Sequence, residues 1–204
     1  MREVSHINHS FDSSDKDRSL ASQKHQATDD ERLWLDFKTG SESAFVAIYN
    51  KYFQILYNYG RQLSGNKELI KDSIQNTFVS IRSIRKKLPQ VNSVQAYLLK
   101  SFRNNLIKEL KKLKKVSFTD DSPLDFQIEA SAEQTLIDRQ FNEQQIQKMS
   151  EAMTHLSFRQ KEAIYYYYYN DLSYSEIKEI MGFKSVEATR NLLYRAITAL
   201  RKNF

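Results

Sequence analysis

The densest run of cations in this sequence lies in residues 100–115, and its residue types suit contact with nucleic acid. Seven lysines and arginines less the one acid, Glu109, give this segment a charge of +6, equal to the net charge of the whole chain. Tyr97 and Phe102 lie beside the cations, which contact phosphates while aromatic rings stack on unpaired bases. The alternative is a solvated helix end, where the helix dipole favours lysines. The cations are Lys100, Arg103, Lys108, Lys111, Lys112, Lys114 and Lys115.

A second group of polar residues lies near the C-terminus, on the longer of two predicted helices. Ser173 to Met181 forms the shorter helix, Gly182 fits the left-handed position after it, and Ser185 can cap the next helix, as in a helix-turn-helix. Asn, Arg and Thr on an exposed face can donate to base edges and phosphates, although a helical hairpin with a solvated face has the same pattern. One face of the longer helix is apolar, with Val186, Thr189, Leu193, Ile197 and Leu200, and the opposite face holds Glu187, Asn191, Arg195 and Thr198.

A third polar stripe follows the spacing i, i+3, i+4, i+7 on a predicted helix that Asn66 caps and Pro89 stops after Leu88. It contains one acid, two amides and one apolar side chain, which suits either a protein docking site or an ordinary wet surface. The stripe is formed by Asp72, Gln75, Asn76 and Val79, and the opposite, core face by Ile70, Ile74 and Ile81.

Catalytic, metal and cofactor chemistry finds no support in the residue types. The chain has no cysteine, which excludes disulfides and thiolate metal sites, and it has no glycine-rich phosphate loop. Its four histidines, His6, His9, His25 and His155, show no ligand spacing, and we expect His155 to end a helix. We therefore predict a non-enzyme without metal, cofactor or small-molecule substrate. No apolar run approaches the ~20 residues of a membrane helix and the N-terminus lacks an apolar signal core, so we expect a cytoplasmic protein.

Helices must position these residues. Only four glycines and two prolines occur in 204 residues, too few for the tight turns of a sandwich or barrel. Apolar spacing of three and four predicts a helix around Leu33 that breaks at Gly40, and a second from Phe45 to Leu63. Ser93 can cap a helix reaching Lys115, whose buried stripe holds Val94, Leu98, Phe102, Leu106, Leu110 and Leu113.

The fold class is therefore all-α, with two small helical modules joined by a linker. The polar residues 1–28 are predicted to be a disordered tail, residues 29–115 the first module, the acidic stretch 116–130 the linker, and residues 131–204 the second module. The tyrosine run 165–169 is predicted to be helical despite its strand propensity. Three capping boxes mark helix starts after the linker: Ser131 with Gln134, Ser157 with Gln160, and Ser173 with Glu176.

Five segments, in order and correctly spaced, resemble the extracytoplasmic-function (group four) sigma factors of bacterial RNA polymerase, within the sigma-seventy class. The resemblance covers roughly residues 29–202. It implies a promoter-recognition protein with sigma region 2 at 29–115 and region 4, with its helix-turn-helix, at 131–204. The segments are D-S-I-Q-N-T-F-V from Asp72, Y-L-L-K-S-F-R-N-N from Tyr97, L-S-F-R-Q-K-E-A-I from Leu156, L-S-Y-S-E-I from Leu172 and R-N-L-L-Y-R-A from Arg190.

The resemblance also implies a role for each surface. Asp72, Gln75, Asn76 and Val79 would dock on the clamp helices of the polymerase β′ subunit. A minus-thirty-five-like element would be read as duplex by Lys184, Ser185, Arg190, Asn191 and Arg195. The linker would run toward the RNA exit path. The residues that would melt and capture a minus-ten-like element are Asn92, Ser93, Tyr97, Arg103, Asn104 and Lys108.

The implied partners are core RNA polymerase, through the β′ clamp helices and the β flap, promoter DNA, and a membrane-bound anti-sigma factor. The alternative is a helix-turn-helix regulator that acts without a stable polymerase complex. Such a regulator needs neither the stripe around Asp72 nor the basic helix.

Overall fold

The computed structural model describes residues 29–114, 126–128 and 143–203, and these residues form helices without any strand. The first module holds α1 (29–39), α2 (Glu42–Leu63), α3 (Lys67–Ser83), a 3₁₀ turn (Arg85–Lys87) and α4 (Val94–Lys114). The second holds α5 (Glu143–Thr154), α6 (Phe158–Tyr169), α7 (Tyr174–Met181) and α8 (Val186–Asn203). The all-helical prediction is confirmed.

Side-chain caps begin most of these helices where the sequence predicts. Asn66 Oδ1 accepts from the amide of Leu69 at 3.1 Å, and Ser93 Oγ from that of Ala96 at 3.2 Å. The boxes begun by Ser157 and Ser173 are both formed, so each hydroxyl and its partner side chain satisfy two free amides. The box begun by Ser131 lies outside the described residues.

The prediction for the end of α3 is wrong by five residues, because the helix ends at Ser83 and not at Leu88. The chain tightens into the 3₁₀ turn and then extends at Leu88, as a residue before proline prefers. This path buries Leu88 and lets the carbonyl of Pro89 accept from Trp34 Nε1 at 3.2 Å. A longer α3 would forgo both contacts.

The core of the first module lies where α2, α3 and α4 pack together. Ile70, Ile74 and Ile81 are buried as predicted. Gly60 permits the close approach, because a Cβ built there would lie 2.6 Å from Ile70 Cγ2 and 3.2 Å from Phe102. The predicted stripe of α4 is buried except Leu113, which is 67% exposed, so the prediction for that residue is wrong. Leu113 lies in the last turn of α4, beyond the last buried residue of its stripe, Leu110.

The second module packs α5, α6 and α7 against α8. The tyrosine run is helical, as predicted, because burial of Tyr165 and Tyr166 in the core outweighs local strand propensity. Gly182 takes the left-handed conformation at φ 71°, and Ser185 Oγ accepts from the amide of Ala188 at 3.2 Å. The predicted helix-turn-helix geometry is therefore present.

The two modules share one hydrophobic core, which the sequence does not predict. Helix α4 packs on α7, and Phe126, from the predicted linker, is fully buried between the modules. The Phe126 ring lies 5.9 Å from that of Tyr59 and 5.5 Å from that of Tyr165. The amide of Gln127 also donates to the carbonyl of Gln62 at 3.0 Å.

Candidate nucleic-acid and polymerase interfaces

The exposed face of α8 forms one continuous polar stripe, which we name the reading stripe. Thr189, Leu193 and Ala196 are buried on the opposite side, and this fixes the rotation of the helix. The predicted residues Asn191 and Arg195 are both exposed on the stripe. Its members are Glu187, Arg190, Asn191, Tyr194, Arg195, Thr198, Arg201 and Lys202.

Sequence patterns did not identify three members of the reading stripe, Arg201, Lys202 and Tyr194, of which Tyr194 is the one aromatic residue. Its side chain is 71% exposed, the largest value among the exposed large hydrophobic residues of the described chain. It lies three residues after Asn191, so extending the stripe by one helical turn identifies it. An exposed aromatic ring with a hydroxyl suits an interface where one end is apolar and the other polar.

Arg190 lies at the edge of the reading stripe, where neighbouring side chains hold it. Its guanidinium lies 5.5 Å from the centre of the Tyr174 ring, and Nη1 lies 3.8 Å from a carboxylate oxygen of Glu187. Lys184 and Ser185 are exposed in the turn that precedes α8. The Ser185 hydroxyl serves as helix cap, so its accepting side is already engaged.

The residues predicted to read a downstream element are not all on one surface. Asn92, Asn104 and Lys108 are exposed. Ser93 caps α4, and the half-buried Tyr97 packs edge-on against Trp34 with ring centres 5.3 Å apart. Burial of Tyr97 raises the pKa of its hydroxyl.

Arg103 differs from the expectation that it faces nucleic acid, because it points into the contact between the modules. Its Nε donates to Glu162 Oε1 at 2.6 Å and its Nη2 to Oε2 at 3.0 Å, a bidentate ion pair. The Arg103 side chain is 17% exposed and that of Glu162 is fully buried. Burial opposes the charge of Arg103, but the Glu162 carboxylate together with the Tyr59 and Tyr166 hydroxyls outweighs burial and raises the pKa of the guanidinium.

Two tyrosines complete the hydrogen bonding of Glu162, and we name Tyr59, Arg103, Glu162 and Tyr166 the inter-module cluster. Both hydroxyls donate to Glu162 Oε1, that of Tyr59 at 2.6 Å and that of Tyr166 at 3.2 Å. Their rings stack with centres 5.4 Å apart. Burial and then the Glu162 carboxylate raise the pKa of both hydroxyls well above 10. A buried carboxylate with four donors is well satisfied.

The buried tyrosines predict a distinct alkaline titration. We expect Tyr52, Tyr59, Tyr165 and Tyr166 to stay protonated when exposed tyrosines ionise near pH 10, because burial raises the pKa of each. A folded-state pKa above the unfolded value means that stability present below pH 10 is lost as the pH rises beyond it. Absorbance at 295 nm during alkaline titration, with circular dichroism in parallel, measures both. Full ionisation of all twelve tyrosines in one step at pH 10, with the helices intact, would contradict this burial.

The stripe predicted for protein docking is a distinct exposed surface on α3, which we name the docking stripe. Asp72, Gln75, Asn76 and Val79 are all exposed, and Val79 is 58% exposed. Ser73 and Thr77, between them in sequence, are buried, and Thr77 accepts a hydrogen bond from Asn105 of α4 at 3.0 Å. The packing of α3 on α4 therefore holds the stripe outward.

A cavity of about 360 Å³ lies between the modules at the start of α4. Asn92 and Ser93 line it, and Gln95 beside them donates from Nε2 to the carbonyl of Asn170 at 3.2 Å. Its carboxylates come from both modules: Asp30 and Glu31 from the first, Asp171 and Glu176 from the second. Asp30 is paired with Lys51 and accepts a hydrogen bond from the Tyr52 hydroxyl, so the other three carboxylates give this surface its acidic character.

Among the residues that the structure describes, no group of three or more His, Cys, Asp or Glu side chains is arranged to hold a metal ion. Within the same ranges, no helix has the length and apolar character needed to cross a membrane. His155 lies just after α5, where its amide donates to the carbonyl of Ala152 at 3.3 Å, as expected for a helix-end residue.

Comparison with known proteins identifies the module that carries the reading stripe. The family model described as "Sigma-70, region 4" matches residues 152–202, which span the end of α5, all of α6 and α7, and α8 up to its last residue but one. The RNA polymerase sigma factor SigV of Bacillus subtilis (strain 168) is 23% identical over 150 residues, covering 74% of this chain and 82% of that protein. The second module thus carries a sigma-70 region 4 domain, and 74% of the chain is similar to a sigma factor.

Solved structures show the same fold across both modules of this chain. The structure of CnrH in complex with the cytosolic domain of CnrY matches with a TM-score of 0.58 and 16% identity, over 85% of this chain and 95% of that one. RpoE in complex with the anti-sigma factor NepR, from Bartonella quintana, matches with a TM-score of 0.55 and 19% identity, over 78% and 95%. The chain therefore shares the fold of these two proteins across both of its modules.

Proposed function

We propose that the chain is an alternative sigma factor that binds core RNA polymerase through the docking stripe and directs promoter recognition and melting through α4 and α8. The reading stripe carries this proposal, since it is exposed on a helix-turn-helix within the matched region 4 segment. The docking stripe, the basic face of α4 and the reading stripe lie on three different helices. One chain can therefore engage polymerase and two promoter elements. We assign residues 29–115 to sigma region 2 and 131–204 to region 4.

The partners follow from the same assignment. We propose contacts with the β′ clamp helices through Asp72, Gln75, Asn76 and Val79, and with the β flap through region 4. An anti-sigma factor, which we propose to be membrane-bound, is a further partner, because the sigma factor RpoE, which shares this fold, is bound to the anti-sigma factor NepR, and CnrH is bound to the cytosolic domain of CnrY. The proposed activity needs no cofactor, metal or small-molecule substrate. It requires a cytoplasmic location, where polymerase and promoter DNA meet.

The residues of the reading stripe divide into those that contact bases and those that contact phosphates of the upstream element. Asn191→Ala and Arg195→Ala are expected to relax sequence preference at upstream positions by about 1–3 kcal/mol for a bidentate contact. Arg190→Ala is expected to weaken all promoters about equally, because Tyr174 and Glu187 hold Arg190 at the edge of the stripe and phosphates carry no sequence information. Selection from a promoter library with each variant measures both effects. A changed upstream preference for Arg190→Ala alone would reverse the assignment.

Binding of the downstream element by α4 is expected to depend on the exposed cations of that helix. Lys108→Ala is expected to weaken open-complex formation and to lower the slope of log K against log salt by about one, as for one lost phosphate contact. Lys112→Ala is the matched control, since Lys112 on the same helix is paired with Glu109 at 2.7 Å. Titration of potassium chloride against open-complex yield gives the slope. Equal slopes for Lys108→Ala and wild type would mean that Lys108 faces solvent in the complex.

Reconstitution with purified core polymerase tests the proposed function against its alternative. The sigma factor should co-elute with core polymerase and retard promoter DNA only in that complex. A helix-turn-helix regulator would instead retard its operator alone and would not co-elute with polymerase. The second result would overturn the proposal.

A further inference from the structure

We propose that Arg159 is a positioning residue for upstream promoter recognition: it holds the turn before α8 and so sets where the start of that helix meets DNA. It does so through contacts with Met181 and Phe183, and we name these three residues the turn anchor. This inference rests on the proposed function, because it concerns the helix that we assign to the upstream element. It gives a role in recognition to a residue of α6, which lies outside the reading stripe.

The turn between α7 and α8, residues 182–185, is shaped by hydrogen bonds at both of its ends. The amides of Gly182 and Phe183 both donate to the carbonyl of Lys178, which closes α7 around the left-handed glycine. Ser185 caps α8 at the other end. These bonds are all made within α7, the turn and α8, so they shape the turn but do not tie it to the rest of the module.

Arg159 ties the turn to α6. Its Nη2 donates at 3.3 Å to the carbonyl of Met181, the last residue of α7, where helix carbonyls lack a partner within the helix. Its guanidinium lies 4.9 Å from the centre of the Phe183 ring, as in a cation–π contact. Its own position is fixed, because it lies inside the capping box that Ser157 and Gln160 form at the start of α6. One half-buried side chain therefore joins α6, the end of α7 and the turn.

The turn anchor acts on the part of α8 that the core does not hold. Thr189 is the first buried residue of that helix, so packing holds the helix from Thr189 onward. Lys184, Ser185 and Glu187 precede it and are exposed, so their positions follow the turn. Residues at the N-terminal end of a recognition helix contact base edges in the major groove. A displaced turn therefore moves these polar groups relative to the bases while the rest of the helix stays in place.

Direct contact with a DNA phosphate is the role of Arg159 that must be separated from positioning. A phosphate contact depends on the positive charge, which Arg159→Lys keeps, and it does not involve Phe183. The anchor depends on a planar group that lies over the Phe183 ring while one edge donates to Met181, which a lysine ammonium cannot reproduce. The two roles therefore predict different results for Arg159→Lys and for Phe183→Leu.

Limited proteolysis tests the turn anchor without DNA. Trypsin cleaves after the exposed Lys184 when the turn opens, and Arg159→Lys leaves the number of trypsin sites unchanged. We expect Arg159→Lys and Phe183→Leu each to speed this cleavage about two- to fivefold, the factor that a cation–π contact contributes, with little change in melting temperature. The double variant should match Arg159→Lys, because both changes remove the same contact.

Arg82→Lys is the matched control for the proteolysis. It makes the same change at a cation–π contact of the first module, where the Arg82 guanidinium lies 5.3 Å from the centre of the Phe45 ring. This control should leave the rate of cleavage after Lys184 unaltered, as followed by mass spectrometry of the fragments. Cleavage at the parental rate in both Arg159→Lys and Phe183→Leu would overturn the proposal.

Selection from a promoter library with core polymerase tests the effect on recognition. We expect Arg159→Lys and Phe183→Leu to lower discrimination at the same upstream positions, by about two- to fivefold, with an unchanged salt slope of open-complex formation. Arg82→Lys should keep the parental preference. Parental preference in Arg159→Lys, with an equal loss on all promoters and a salt slope lower by about one in Arg159→Ala, would assign Arg159 to a phosphate and overturn the proposal.

The two measurements separate this inference from the proposed function. If the parent chain selects no promoter with core polymerase, the proposed function fails, while faster cleavage in both variants still shows that Arg159 holds the turn. If both variants are cleaved faster but keep the parental upstream preference, the positioning role is wrong and the proposed function stands.

Discussion

The triple variant Asp72→Lys, Gln75→Lys, Val79→Lys is expected to lose core polymerase binding while its helicity and melting temperature stay close to those of the parent. The three side chains are exposed on α3, and their replacement removes an apolar contact and reverses the charge of the stripe. Replacing a residue at the centre of an interface weakens the binding free energy by about 2 kcal/mol or more, so the three changes together are expected to lower the affinity for core polymerase more than about 100-fold. Size-exclusion chromatography with core polymerase and a binding titration measure it.

A matched control separates this effect from added charge. The control variant carries the same change in net charge at exposed positions of α1 and α2. It replaces one aspartate, one amide and one valine, as Asp36→Lys, Asn50→Lys and Val46→Lys. This control should bind polymerase normally. Normal holoenzyme assembly by the docking-stripe variant, or equal loss in both variants, would mean that the stripe is only a solvated face.

The second large effect concerns the buried ion pair. Arg103→Met is expected to destabilise the chain by about 3–5 kcal/mol, because it leaves the fully buried Glu162 carboxylate without its cation. Glu162→Leu is also expected to destabilise the chain, because it leaves the largely buried Arg103 guanidinium without its carboxylate partner. The double variant Arg103→Met, Glu162→Leu should recover most of the loss, since well-packed apolar residues often replace a buried pair at little cost.

Urea unfolding of the four proteins gives the coupling free energy. Non-additivity of about 2 kcal/mol or more is the expected result for a contact pair. Lys112→Met with Glu109→Leu is the control cycle, because that pair is exposed on one helix and its coupling should be below about 1 kcal/mol. Strictly additive losses for Arg103 and Glu162 would contradict the pairing.

Local patterns in the sequence determine much of this fold. Helix starts at Asn66, Ser93, Ser157 and Ser173 follow from hydroxyl and amide side chains that satisfy free amides. The exposed faces of α3 and α8 follow from helical periodicity, and the left-handed Gly182 from its freedom at positive φ. The end of α3 cannot be predicted in this way. The helix ends at Ser83 because the following residues turn so that Leu88 is buried, and no residue near Ser83 signals that end.

The contact between the modules is the part that sequence patterns do not predict. Glu162 pairs with Arg103 and Tyr59, which lie 59 and 103 residues away along the chain. Local spacing does not indicate a pair so far apart in sequence. From the sequence alone, Glu162 cannot be distinguished from the other polar residues of its segment. One signal was available, since Phe126 is an aromatic residue within an acidic stretch, and it is buried at this contact.

Transcription in vitro with purified core polymerase, followed by sequencing of the RNA 5′ ends, tests the central claim most directly. We expect the chain to direct initiation at a restricted set of start sites with a shared upstream and a shared downstream element. The docking-stripe variant should give none of these transcripts, and its matched lysine control should give them all. Random initiation, unchanged by the chain or by loss of its docking stripe, would contradict the proposed function.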